Sequence, residues 1–139
     1  MKALVVYYSK NGTTKKMAQE IANCLEENNT NVKLGSIHEV TARDIEEADR
    51  LYIGCWTSGF LFFGQKPSHE WKAFARRIPI TNKKKAMLFA TYKVATGSMF
   101  KKMREELSFR GLQVSNKALK SKDGELKDIH LEILSQSLN

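Results

Sequence analysis

Two rhythms organise the apolar residues of this 139-residue chain. Ala3–Tyr8, Arg50–Cys55 and Ala86–Ala90 are short, nearly unbroken apolar runs, which predict strands covered on both faces in a parallel sheet. Asn31–Ile37 alternates polar and apolar residues and predicts a half-covered edge strand. Leu112-Gln113-Val114 begins a weaker strand that runs on toward Leu119. Between these, Thr14, Met17, Ala18, Ile21, Cys24 and Leu25 recur at helical spacing until Asn28-Asn29. A short helix is expected from Thr41, as cap, to Ala48. Trp71, Phe74, Ala75 and Ile78 mark a helix over about His69–Arg77, with Ser68 as cap and Pro79 as its stop. Met99, Phe100, Met103 and Leu107 mark another, with Gly111 in the left-handed position past its end. Leu126, Ile129, His130, Ile133 and Leu134 share one predicted face of a last helix.

Strands therefore alternate with helices, and right-handed crossovers turn that order into an α/β fold, a doubly wound five-stranded parallel sheet between two helical layers. The length and the 42% apolar content suit one domain over residues 1–139. In such sheets ligands bind beyond the carboxyl ends of the strands, at the switch point between the first and third. The loops after strands one, three and four are the ones to read for chemistry.

Composition narrows the chemistry. No run approaches the roughly 20 apolar residues of a membrane span, and the first apolar run meets Ser9-Lys10-Asn11 too soon for a secretory leader. A cytoplasmic protein is expected. Cys24 and Cys55 lack a Cys-x-x-Cys spacing, so reduced thiols are expected, at least one of them in the core. His38, His69 and His130 are far apart and give no metal motif. The formal net charge of +8 favours anionic partners without choosing among them. The run Lys83-Lys84-Lys85 reads as a solvated lead-in to the fourth strand.

After the first strand come Ser9, Lys10, Asn11, Gly12, Thr13 and Thr14. Hydroxyls, an amide and a glycine directly before a helix N-terminus make an anion cage, because N–H groups and the helix dipole converge there. An ordinary capped turn uses the same residues. Neither of the commonest glycine-rich nucleotide loops is present. The segment resembles the Ser/Thr-x-Thr-Gly-x-Thr loop of flavodoxins, with Asn11 in place of a hydroxyl residue. Ala48-Asp49-Arg50-Leu51-Tyr52-Ile53-Gly54 resembles the lead-in to their third strand.

That resemblance implies the flavodoxin-like strand order 2-1-3-4-5, the short-chain type without a long insertion in the last strand, and FMN as cofactor. Its phosphate would be held by the Ser9–Thr14 loop without a metal. Its ring would lie between the loops after strands three and four, which supply Trp56 with Thr57, Ser58 and Gly59, and Thr91 and Tyr92 with Thr96 and Gly97. Trp56 and Tyr92 can stack on a flat polarizable ring or simply cap the core. Phe60-Leu61-Phe62-Phe63-Gly64 reads as an apolar loop, folded on the ring, covering a substrate, docking a partner, or tucked into the core.

With FMN carrying the electron chemistry, no catalytic acid, base or nucleophile is required. The first functional expectation is an electron carrier serving a redox partner protein, an acidic one on the chain's charge. The second is an FMN-dependent reductase acting directly on an anionic planar substrate such as a quinone or heme. Residues 56–68 and 91–99 contain no Asp or Glu but include Lys66 and Lys93, so a negatively charged reduced flavin should be better tolerated than beside acidic loops. Nucleic acid is not expected, because no stacking-aromatic or recognition-helix motif accompanies the lysines. A phosphoacceptor aspartate is missing where the third strand ends in Cys55-Trp56, and the first loop lacks the cysteine and arginine of a phosphatase.

Overall fold

A computed structural model describes residues 1–60 and 63–139. Five parallel strands are laid down in the order expected. They are β1 (Lys2–Tyr8), β2 (Asn31–Ser36), β3 (Arg50–Trp56), β6 (Lys84–Thr91) and a fifth strand in two pieces, β7 (Leu112–Val114) and β8 (Leu119–Ser121). The sheet runs β2-β1-β3-β6-β7, with β8 also on β6. Helices α1 (Thr13–Glu27), α2 (Ala42–Glu47), α3 (His69–Arg77), α4 (Met99–Leu107) and α5 (Asp128–Ser137) connect or follow them. This is the flavodoxin-like doubly wound sheet.

The pleat explains the unbroken runs. Ala3, Val5 and Tyr7 of β1 join Met17, Ile21, Tyr52, Phe89 and Leu134 in one core, under α1 and α5. Leu4 and Val6 join Leu51, Ile53, Trp71, Leu88 and Met103 in the other, under α3 and α4. Neighbouring side chains leave the strand on opposite faces, and both faces are covered, so every position must be apolar. Edge strand β2 is buried only at Gly35, hence its alternation.

The fifth strand is divided because Leu112–Val114 pairs with Lys84–Ala86 and Leu119–Ser121 with Phe89–Thr91, leaving residues 115–118 off the ladder. Two further expectations are corrected. The segment read as an apolar loop is an antiparallel hairpin, β4 (Ser58–Phe60) with β5 (Phe63–Lys66). Leu61 and Phe62 of that reading lie outside the described residues, and Phe63 is 76% exposed. In α5, Leu134 is buried, but Ile129 is 57% exposed; Ile129 sits in the helix's first turn, ahead of the part that lies on the sheet.

The lysine run is also more structural than expected. Lys84 is half-buried, and its ammonium donates to the carbonyls of Ile45 and Glu46 at 2.7 and 3.0 Å. The last carbonyls of a helix lack intrahelical donors, so this lysine closes the C-terminus of α2. Both cysteines are buried free thiols, and burial pushes the Cys55 thiol up to about 12. Neither belongs to a reactive site.

At the other end of α2, Thr41 and Asp44 form a reciprocal cap. The Asp44 carboxylate accepts from the Thr41 N–H at 2.9 Å and from Lys33 at 2.6 Å. These donors hold its pKa at about 2, below the ordinary 3.8. The folded value lies below the unfolded one, so the associated stability is complete above about pH 4 and is lost as pH falls toward 2. In urea melts across that window, Asp44→Asn should be the less stable protein at pH 6, with the gap much narrowed at pH 2.5. An unchanged gap at both pH values would contradict the assignment.

Candidate functional site

Parallel pairing brings three strand ends to one edge. Tyr8 pairs with Cys55, Cys55 with Ala90, and Trp56 with Thr91, so the loops beyond them meet. In the first loop the Gly12 N–H donates to Ser9 Oγ at 3.0 Å, and Gly12 has φ 90°. A Cβ there would touch nothing within 4 Å; the left-handed backbone, rather than space, favours glycine. Lys16 N–H bonds back to Gly12 O at 3.0 Å, closing the first turn of α1. No side chain caps this helix and its first turn holds no acidic residue. The leading N–H groups therefore face the loop with their dipole uncompensated, a ready anion site.

Thr14 also ties the loop to the sheet. Its hydroxyl is buried against that of Thr91 at 2.6 Å, locking the start of α1 to the end of β6. Thr57 N–H donates to Thr91 O at 2.8 Å, and Tyr92 N–H to Ser121 O at 3.2 Å, extending the lock to the loops after β3 and β8.

Between these loops lies a cleft of ≈ 200 Å³. The first loop contributes Lys10, Asn11, Thr13 and Thr14 to its walls, and the second Trp56, Thr57, Ser58 and Gly59. Thr91, Tyr92 and Lys93 come from the end of β6, and Lys122 from beyond β8. The Lys10 ammonium stands 4.9 Å from the Trp56 ring centre, and Lys120 stands 5.9 Å from that of Tyr92. Among the described residues no carboxylate side chain lines the cleft. Trp56 Nε1 and Thr57 Oγ1 are buried without a hydrogen-bond partner among the described residues. Trp71 Nε1, in the core beneath α3, is unpartnered in the same way. Aromatic walls, lysines and an uncapped helix N-terminus suit a planar ring carrying a phosphate.

Ser9 and Gly12 shape the first loop and do not line the cleft. Thr96 and Gly97 also lie off it. Thr96 O accepts from Met99 N–H at 2.8 Å, starting α4. Gly97 has φ 48°, and a Cβ on it would come within 2.7 Å of the Gln65 side chain, so it fits α4 against the hairpin. Gly59, at φ 131°, has no room for a Cβ beside the Gly64 carbonyl and Gln65 backbone, which is what lets β4 and β5 close up. Lys122 was not foreseen at the site. It belonged to a lysine-rich stretch, and only the pairing of β8 with β6 carries it to the cleft.

A model of the flavodoxin family matches residues 5–134. Among curated proteins the sequence finds no match. Solved structures show the same fold. A flavodoxin from the domain Archaea superposes with TM-score 0.68 at 24% identity, covering 98% of this chain and 92% of that one. A Streptococcus pneumonia flavodoxin does so with TM-score 0.76 at 19% identity, covering 98% and 94%. Oxidised flavodoxin 1 from Bacillus cereus gives 0.72 at 22% identity, covering 99% and 94%.

Proposed function

The chain belongs to the flavodoxin family, FMN-binding electron-transfer proteins, and we propose that its FMN occupies the cleft between Lys10, Trp56 and Tyr92 to pass electrons to an acidic redox partner. The observation that carries this reading is a cleft walled by Trp56 and Tyr92, lined by Lys10, Lys93 and Lys122, and reaching Thr13 and Thr14 at the uncapped N-terminus of α1.

Bound there, FMN supplies one- and two-electron chemistry. The chain's part is to hold and tune it. The N–H groups opening α1, with the side chains of Asn11 and Thr13, hold the phosphate; Ser9 and Gly12 set the loop for them. The Thr14–Thr91 hydroxyl pair keeps that cradle fixed to the sheet. Trp56 and Tyr92 flank the ring, with Thr57, Ser58 and Gly59 along its edge. Thr96 and Gly97 act at one remove, by seating α4 on the hairpin. The whole chain, read as one domain working in the cytoplasm with its two thiols reduced, serves this site.

Binding itself is tested by colour. Added FMN should lose its fluorescence and the protein should gain flavin absorbance bands, at one FMN per chain. Unchanged fluorescence would remove the basis of the proposal.

Charge distinguishes the site from an acidic one. Lys10, Lys93 and Lys122 line the cleft and among the described residues no Asp or Glu does, so negative charge on the reduced ring gains attraction where acidic loops would repel it. The second reduction step should therefore be less negative than in a Lys10→Glu variant. Potentiometric titration measures it, and equal potentials would sink the electrostatic argument. The same lysines favour a second reading, a reductase acting directly on an anionic planar acceptor such as a quinone or heme. Anaerobic mixing of reduced protein with such acceptors separates the two: reoxidation without any partner protein identifies the reductase.

A further inference from the structure

A second cavity, larger than the cofactor cleft, lies elsewhere. A space of ≈ 430 Å³ lies at the opposite end of the sheet. Arg50 opens β3 and Trp56 closes it, so about 20 Å of strand separates the two sites at 3.3 Å per residue.

Register builds the floor of this cavity. Arg50 pairs with Lys85 across β3 and β6, and Lys85 with Gln113 across β6 and β7. Two residues further in, Tyr52 pairs with Met87 on the same face. Ile133 and Gln136 of α5 form the opposite wall, and Lys117 joins from the break between β7 and β8. The cavity therefore has a cationic outer row and an apolar inner row.

Among the described residues no side-chain carboxylate pairs with these cations, and only Arg50 reaches an oxygen of the last residue, Asn139. Like charges directly opposite on neighbouring strands are destabilising, yet Arg50 and Lys85 sit so, and among the described residues no carboxylate side chain lines the space. Arg50 donates to Asn139 O at 3.2 Å and to Met1 Sδ, and Lys117 to Gln136 Oε1 at 3.3 Å. Glu132, outside the lining, accepts from the wall residue Gln136 at 3.5 Å.

We propose that this cavity is a second binding site, for a small organic anion whose charged end meets Arg50, Lys85 and Lys117 and whose apolar body lies on Tyr52, Met87 and Ile133. Carboxylates, phosphates and sulfonates share the required chemistry. The site is independent of the flavin, since it shares no lining residue with the cofactor cleft.

Anilinonaphthalene sulfonate is the probe, titrated into folded protein with excess FMN so that the cofactor cleft is filled. One saturable site weakened by salt is expected, with amide shifts at Gln113, Ser115 and Ile133. Lys85→Glu places a carboxylate opposite Arg50. It should weaken probe binding about tenfold or more, leave FMN binding as it was, and raise the melting temperature by relieving the repulsion. Shifts confined to Trp56 and Tyr92, unaltered binding by Lys85→Glu, or a fall in its melting temperature would each overturn the proposal. Trading probe names tests the source: phenyl phosphate and benzoate should displace the sulfonate, and failure of both to do so counts against the site.

Discussion

Gly54→Ala should unfold at a temperature about 10–15 °C below the parent, and Gly54→Val should yield little folded protein. Gly54 lies in mid-strand with ordinary backbone, paired with Tyr7 on one side and Phe89 on the other. A Cβ on it would stand 2.1–2.4 Å from three atoms of the Phe89 ring. That ring is 1% exposed and packed among the residues beneath α1, so it has nowhere to turn in an interior packed like a crystal. Overpacking costs about 1–3 kcal/mol and more where the overlap is direct, against a total stability of about 5–15 kcal/mol. For a domain of this size each kcal/mol moves the melting temperature by about 3–5 °C. Thermal melts followed by circular dichroism give the shift. Phe89→Leu in the same chain should return part of the loss, because the two residues compete for one space. A Gly54→Ala protein that melts with the parent would show that the ring yields freely.

The largest expected effect on ligand binding belongs to Trp56. Trp56→Ala should weaken FMN about 10–100-fold, since stacking of a planar base on an aromatic residue contributes about 1–3 kcal/mol and about 1.4 kcal/mol is tenfold in affinity. The Lys10 ammonium, 4.9 Å from the ring centre, would lose its cation–π partner as well. Trp56→Phe keeps a flat face and removes the indole N–H, which has no partner among the described residues. It should melt close to the parent without flavin and bind FMN with an affinity between those of the parent and Trp56→Ala. Fluorescence titration decides. Dissociation constants for all three proteins within twofold would place the flavin elsewhere.

The elements were legible because each reports a local physical demand. Leu4 to Tyr7 carry no polar residue because α1 and α5 cover one face and α3 and α4 the other. Ser68 before Trp71, and Thr41 before Asp44, meet the unpaired N–H groups of a helix start. The hairpin Ser58–Lys66 was not legible. Its phenylalanines lack the alternation of a half-buried strand, and its pairing goes with Gly59 and Gly64 taking positive φ, which hydrophobic rhythm does not report.

The same division runs through the candidate site. By itself the sequence determined the doubly wound order of strands, the anion-seeking loop from Ser9 to Thr14, and the aromatics that end strands three and four, all properties of neighbours in the chain. Only the tertiary structure decided that the Thr14 hydroxyl is spent on Thr91, that Lys122 reaches the cleft while Thr96 and Gly97 do not, and that Arg50 stands opposite Lys85 above a second cavity. Each of these is a meeting of residues brought together by strand register, and register depends on how a whole sheet buries both its faces at once.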